Sequence, residues 1–278
     1  MDLRAVARRG IAVYERRRTR AIPPIVFFHL PKCGGTSVRI ALRNRLSALG
    51  TGTSIAELDS AATRIVSERS GQSLLAVRQA WLDYQLARSD VQLVAGHVPW
   101  SPTVMHGDRS RVLVTLLRDP TEHLLSGYYF NRDKADSDHF GIPDSTTLGE
   151  YLDSPQAASS GAMFVSYFTD PAFRGDPSSE AAIEAAIRNL DSVDVVGVLE
   201  DLDAWLEQLQ RRTGVTLRVE RRNTSPTSAA ERHQMLEPVL RARIHTVTRP
   251  NRILYEHVTQ DLDEVLTEGG EPITGRTP

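Results

Sequence analysis

Residues 25–37 read Ile25-Val26-Phe27-Phe28-His29-Leu30-Pro31-Lys32-Cys33-Gly34-Gly35-Thr36-Ser37. Ile25 to Leu30 form a short apolar run without helical period, which suits a strand buried on both faces. Pro31 to Gly35 break that run into a loop. From Thr36 onward Val38, Leu42, Leu46 and Leu49 recur at helical spacing, and Gly50 supplies a C-terminal stop. A glycine loop that runs straight into a helix exposes backbone amides at the positive end of the helix dipole, which is a phosphate site. Gly34 and Gly35 let the backbone come close, Thr36 and Ser37 add hydroxyl donors, and Lys32 adds a mobile positive charge. The spacing is not GxxxxGK[ST], because the lysine precedes the glycines, and this argues against a Walker-type ATPase.

Further strand-like runs occur at Val91–Ala95, Val112–Leu117 and Val193–Leu199, and amphipathic helical stretches lie around Ile55–Val66 and Leu74–Leu86. Strands separated by helices predict an α/β chain with a central parallel sheet flanked by helices. Asp119-Pro120-Thr121-Glu122 reads as N-cap, first-turn proline and capping glutamate, so a helix carrying Ser126 opens just after the third of these strands. Leu202, Leu206 and Leu209 make one helical stripe, a loop follows at Arg221–Pro226, and helices continue to about Leu266. The expected organisation is a basic N-terminal arm over 1–24, closed by Pro23-Pro24, one domain over 25–268, and a loose tail over 269–278.

The composition, 40% hydrophobic and 24% charged with a formal net charge of −2, is that of a soluble globular protein and excludes bulk binding to nucleic acid. No run approaches a membrane span, and the N-terminus lacks the apolar stretch of a signal peptide. Cys33 is the only cysteine, so no intramolecular disulfide forms and a cytoplasmic location is expected. The 33 basic residues comprise 31 arginines and two lysines, Lys32 and Lys134. Such a bias is one that a bacterial genome imposes, and it makes a lysine inside a glycine loop conspicuous.

In an open parallel sheet, ligands bind beyond the carboxyl ends of the strands. Every unusual polar feature of the chain falls there: the loop Pro31–Ser37, then Gly96-His97, Arg118-Asp119 and Glu200. The motifs carry a family likeness. His29–Ser37 resembles the 5'-phosphosulfate-binding loop of sulfotransferases that use 3'-phosphoadenosine-5'-phosphosulfate (PAPS), and Leu117-Arg118-Asp119-Pro120 with Ser126-Gly127-Tyr128-Tyr129-Phe130 resembles their 3'-phosphate-binding strand and helix. The likeness is greatest to Golgi carbohydrate sulfotransferases of the heparan sulfate 2-O type. Gly96-His97-Val98 resembles the segment with their catalytic histidine, Val195–Glu200 a later strand, and Leu254-Tyr255-Glu256 a C-terminal helix. The resemblance runs from about residue 25 to 258 and implies a P-loop-NTPase-like sulfotransferase fold.

The resemblance also implies roles. The loop amides from Cys33 to Gly35, with Thr36 and Ser37, hold the 5'-phosphate; Lys32 steadies the leaving nucleotide; Arg118 and Ser126 grip the 3'-phosphate; and Arg222 sits in a polar loop that closes over the nucleotide. His97 serves as the general base for an acceptor hydroxyl on a sugar, lipid or natural product, with His106 and His123 behind it. PAPS is then the co-substrate, PAP the product, and no metal is required. The sequence departs from the 2-O pattern at Ala95 and His123, where those enzymes carry a histidine and an arginine. Asp133, Asp136 and Asp138 would repel a highly sulfated polymer. His29 reads as a core group, Tyr128 and Tyr129 as packing groups, Arg118 alternatively as an ion-pair partner, and Glu200 as charge compensation at a helix start. Two other functions compete: a nucleotide-dependent small-molecule kinase, with Asp119 imitating a metal-binding aspartate, and a catalytically inactive PAP-binding protein.

Overall fold

The structure, a computed structural model, describes residues 22–48, 54–106, 111–132, 141–220 and 236–267. Most of the basic arm, Asp133, Asp136, Asp138 and the loop with Arg222 lie outside the described residues, as does the side chain of His106.

In chain order the elements are β1 (Ile25–Phe28), α1 (Gly35–Ala48), β2 (Ser54–Glu57), α2 (Ser60–Ser70), α3 (Leu74–Leu86), β3 (Val91–Gly96), a short α4 (Thr103–His106), β4 (Val112–Leu117) and α5 (Pro120–Arg132). There follow α6 (Leu148–Leu152), α7 (Pro155–Gly161), α8 (Met163–Phe168), α9 (Glu180–Leu190), β5 (Val195–Val198), α10 (Leu202–Thr213), α11 (Pro238–Val247) and α12 (Arg249–Thr267). The five strands form one parallel sheet in the order β2-β3-β1-β4-β5. The chain leaves the central β1 toward one edge, returns through β3, and then crosses to the other side. The reversal falls at β1, so the loops after β1, β3 and β4 open around one crevice at the carboxyl edge.

Strand residues alternate between two cores, as a sheet covered on both faces requires. Val26 and Phe28 pack with Phe164, Phe168, Ile183 and Leu254 from α8, α9 and α12. Ile25 and Phe27 pack with Val38, Leu42, Trp205 and Leu209 from α1 and α10. Full burial of each such side chain stabilises the fold by roughly 1.5–3 kcal/mol. Gly197 in β5 makes room for the indole of Trp205, since a Cβ there would lie 2.5 Å from Trp205 Cδ1, and Trp205 Nε1 donates to the Thr115 carbonyl at 2.8 Å.

Three expectations shift. The first strand ends at Phe28 rather than Leu30, and the fourth is trimmed to Val195–Val198. The stretch around Ile55 is strand β2 and not the start of a helix. Its SIAE sequence has only two apolar residues, and its half-buried edge position demands no more. Helix α2 starts after it, where Asp59 accepts from the Ala61 and Ala62 amides at 2.9 Å. Among the described residues no helix is long and apolar enough to cross a membrane.

Candidate functional site

The loop after β1 is held from behind at nearly every residue. Arg118 Nη1, just past β4, donates to the Lys32 carbonyl at 3.2 Å. His123 Nε2 on α5 lies 3.1 Å from the Pro31 carbonyl. A carbonyl only accepts, so Nε2 carries the proton and the bare Nδ1 is buried with no hydrogen-bond partner. Lys32 takes a left-handed φ of 64°, and Gly34 one of 72°. For lysine that backbone is strained, and these anchors maintain it. A Cβ on Gly34 would lie 2.6 Å from Leu199 Cδ1, and one on Gly35 only 2.1 Å from His29 Cδ2, so neither position admits a side chain without rearrangement.

The loop carbonyls at 31 and 32 are thus engaged by the protein, and the amides from Gly34 to Ser37 open α1, where no carbonyl lies one turn upstream. The first turn of α1 carries no acidic residue. Thr36 is exposed and Ser37 half-buried. The Cys33 thiol is fully buried in the core, which raises its pKa, so any ligand contact at Cys33 is through backbone. Lys32 Nζ lies 3.7 Å from the centroid of the Phe130 ring at the far end of α5, a cation–π contact.

Arg118 also pairs with Glu122 on α5, Nη2 to Oε2 at 3.2 Å. These two contacts use two of five N–H donors, so its fork still has donors for phosphate oxygens. Ser126 lies one turn beyond Glu122 and is half-buried. Asp119 caps α5 as the sequence indicates, accepting from the Glu122 amide at 3.0 Å. The reciprocal half of the box is replaced: the Glu122 carboxylate turns to Arg118, and the Asp119 amide donates to Glu200 Oε1 at 3.1 Å. Glu200 therefore ties the loop after β5 to the loop after β4, with Tyr255 of α12 donating to its other oxygen at 3.3 Å. Burial raises its pKa.

His29 and His97 leave adjacent strands at the same level, because Phe28 pairs with Gly96 and the His29 amide donates to the Gly96 carbonyl at 3.0 Å. Their rings meet edge to face with centroids 4.6 Å apart. His29 therefore fills the space between Gly35 and His97. Sequence reasoning placed it in the core, and it is indeed buried; its place between the loop and His97 depends on strand register, which sequence does not display. His97 Nδ1 lies 3.5 Å from Ser60 Oγ at the first turn of α2. Burial first, then the charges of Arg78 and Arg39, push the His97 pKa down to about 4. Burial likewise pushes His123 down to about 4 and His29 well below its ordinary value. Arg39 on α1 is held by Glu57 of β2 at 2.5 Å.

The loop with Lys32, the glycines, Thr36 and Ser37, then Arg118 and His97, thus follow β1, β4 and β3 at the carboxyl edge of the sheet, linked as Arg118–loop–His29–His97. Sequence reasoning missed Arg78, Ser60 and Arg39. Arg78 alone left a signal, an arginine in line with Leu75 and Leu82 on the apolar stripe of α3. No protein-family model and no curated protein matches the chain.

Proposed function

We propose that the protein is a PAPS-dependent sulfotransferase of P-loop-NTPase-like fold, acting on a hydroxyl acceptor in the cytoplasm. The observation that carries the reading is the loop 31–35 fastened by its carbonyls to Arg118 and His123. The amides and the Thr36 and Ser37 hydroxyls that follow at the start of α1 then suit an anion. The 5'-phosphosulfate would lie against Gly34, Gly35, Thr36 and Ser37, and the 3'-phosphate against Arg118 and Ser126. Every phosphate contact in this scheme comes from the protein. Asp119, the metal-binding candidate of the kinase reading, is committed to capping α5.

In-line transfer forms the bond from acceptor oxygen to sulfur as the bond from sulfur to the 5'-phosphate oxygen breaks. The electron pair leaves with PAP, and Lys32 neutralises that charge once drawn from Phe130. The acceptor proton passes to His97. For this Nε2 must be the bare nitrogen, and Nδ1–H then faces Ser60 Oγ, a hydroxyl able to accept it. A pKa near 4 keeps His97 neutral at pH 7, while the negative donor beside it raises its basicity in the complex.

The test is incubation with radiolabelled PAPS and fractionated hydroxyl metabolites. Label should pass to an acceptor with the wild type and fail to pass with His97→Ala. Transfer of the terminal phosphate of ATP in place of sulfuryl would establish the kinase instead.

A further inference from the structure

Arg78 is a buried cation whose charge reaches His97. It is 4% exposed and lies on α3 among the buried Val77 and Leu82. Its Nη1 donates to the Tyr167 hydroxyl at 3.0 Å and its Nε to Thr63 Oγ1 at 3.4 Å. Both partners are neutral, and among the described residues no carboxylate pairs with it. Other arginines nearby are treated differently. Arg39 has Glu57 and Arg118 has Glu122. A guanidinium removed from water without a counter-charge is unfavourable, and neutral hydroxyls offset only part of the cost.

Its position gives that charge a use. Thr63 Oγ1 donates to the Ser60 carbonyl at 3.2 Å, and Ser60 Oγ is the group beside His97 Nδ1. The Tyr167 carbonyl accepts from the Trp100 amide at 2.7 Å, which ties α8 to the segment that follows His97. Arg78 therefore bridges the two segments that flank the proposed base. We propose that Arg78 is the anion receptor of the acceptor site, and that the molecule whose hydroxyl is sulfated also carries a carboxylate or comparable oxyanion.

The hydroxyl part of this inference rests on the sulfotransferase reading, whereas the anion site stands on Arg78 itself. Arg78 is among the charges that depress His97. A carboxylate docked on it cancels that influence, so His97 becomes a stronger base when an acceptor is in place. The sulfated product would carry at least two negative charges.

The experiment follows the His97 ring resonances in isotope-labelled full-length protein during titration with benzoate and with its neutral isostere benzamide. Calorimetry with PAP is run on the same samples. Benzoate should shift His97 and raise its pKa in the wild type, benzamide should do neither, and Arg78→Met should lower benzoate affinity at least tenfold while Arg78→Lys keeps part of it. If Arg78→Met does not fold, the wild-type contrast and Arg78→Lys decide. No response to benzoate at any soluble concentration, an equal response to benzamide, or full benzoate affinity in a folded Arg78→Met chain would overturn the inference. Loss of PAP binding with the benzoate response intact would remove the sulfotransferase reading and leave the anion site standing. PAP binding without the benzoate response would do the reverse.

Discussion

The imidazole of His29 separates Gly35, at the start of α1, from His97, at the end of β3. Its Cδ2 lies 2.1 Å from where a Gly35 Cβ would stand, and its ring centre lies 4.6 Å from that of His97. Gly35→Ala must therefore displace His29, and through it both the loop after β1 and His97. Overpacking of this kind typically destabilises by about 1–3 kcal/mol. Gly35→Ala should lower the unfolding midpoint and PAP affinity together, and His29→Ala in the same chain should recover much of the stability. A double variant no more stable than Gly35→Ala would show that the ring is not what the methyl group meets.

His97 should be silent in nucleotide binding and decisive in transfer. His97→Ala should keep PAP affinity while turnover falls by roughly 10²–10⁴-fold, the range for losing a general base. The base must be neutral, so the rate falls as pH drops through its pKa, near 4 in the free protein. That limb lies well below the ordinary histidine value, so kcat/KM should be flat across neutrality. The limb in kcat should sit at higher pH, because bound donor stabilises the imidazolium. A limb that survives in His97→Ala assigns the titration to another group.

Acid should weaken the fold through its buried histidines. His29, His97 and His123 all have folded pKa values below their unfolded ones, chiefly through burial. The unfolded chain then binds more protons, so stability is full above about pH 6.5 and falls as pH drops toward 4. For His97 and His123 the loss between pH 7.5 and 5 should be roughly 1–2 kcal/mol each. Urea denaturation at the two pH values measures it, and equal midpoints would show that these rings are solvated.

The β1–loop–α1 unit was legible because its signals are local: a buried strand made continuously apolar, two glycines, and a helix whose Val38, Leu42 and Leu46 follow directly. Leu74–Leu86 was legible to the residue for the same reason. β2 was not, since a four-residue edge strand half-open to solvent needs no apolar run, and Leu58 and Thr63 just beyond it continue a helical pattern. Within the site, the residue types at Lys32, Arg118 and His97 could be read in order along the chain. What they touch could not. The contact of His29 with His97 depends on the Phe28–Gly96 register, and the approach of Arg118 to the Lys32 carbonyl depends on β4 lying beside β1. The capping box at Asp119 was half legible, because a long-range acceptor, Glu200, took the amide that a local rule assigns to Glu122.

Lys32 and Arg118 should fail in different ways. Arg118→Ala removes a charged donor from the nucleotide and also the anchor of the Lys32 carbonyl. PAP affinity should fall by roughly 1.5–3 kcal/mol, accompanied by a lower unfolding midpoint. Lys32→Ala leaves the anchors of its backbone carbonyl in place, so it should lower turnover at saturating donor more than it lowers stability. Equal losses of affinity alone in both variants would contradict this division.

The central claim is that the fastened loop after β1 and the Arg118 fork form one site for a nucleotide bearing 3'- and 5'-phosphates. Calorimetry of the full-length protein with PAP, in buffer containing a chelator, addresses it directly, with Mg-ATP as the comparison. The account predicts saturable PAP binding without divalent metal, weakened by Arg118→Ala, and much weaker binding of Mg-ATP. Tight Mg-ATP binding with no PAP binding would contradict it.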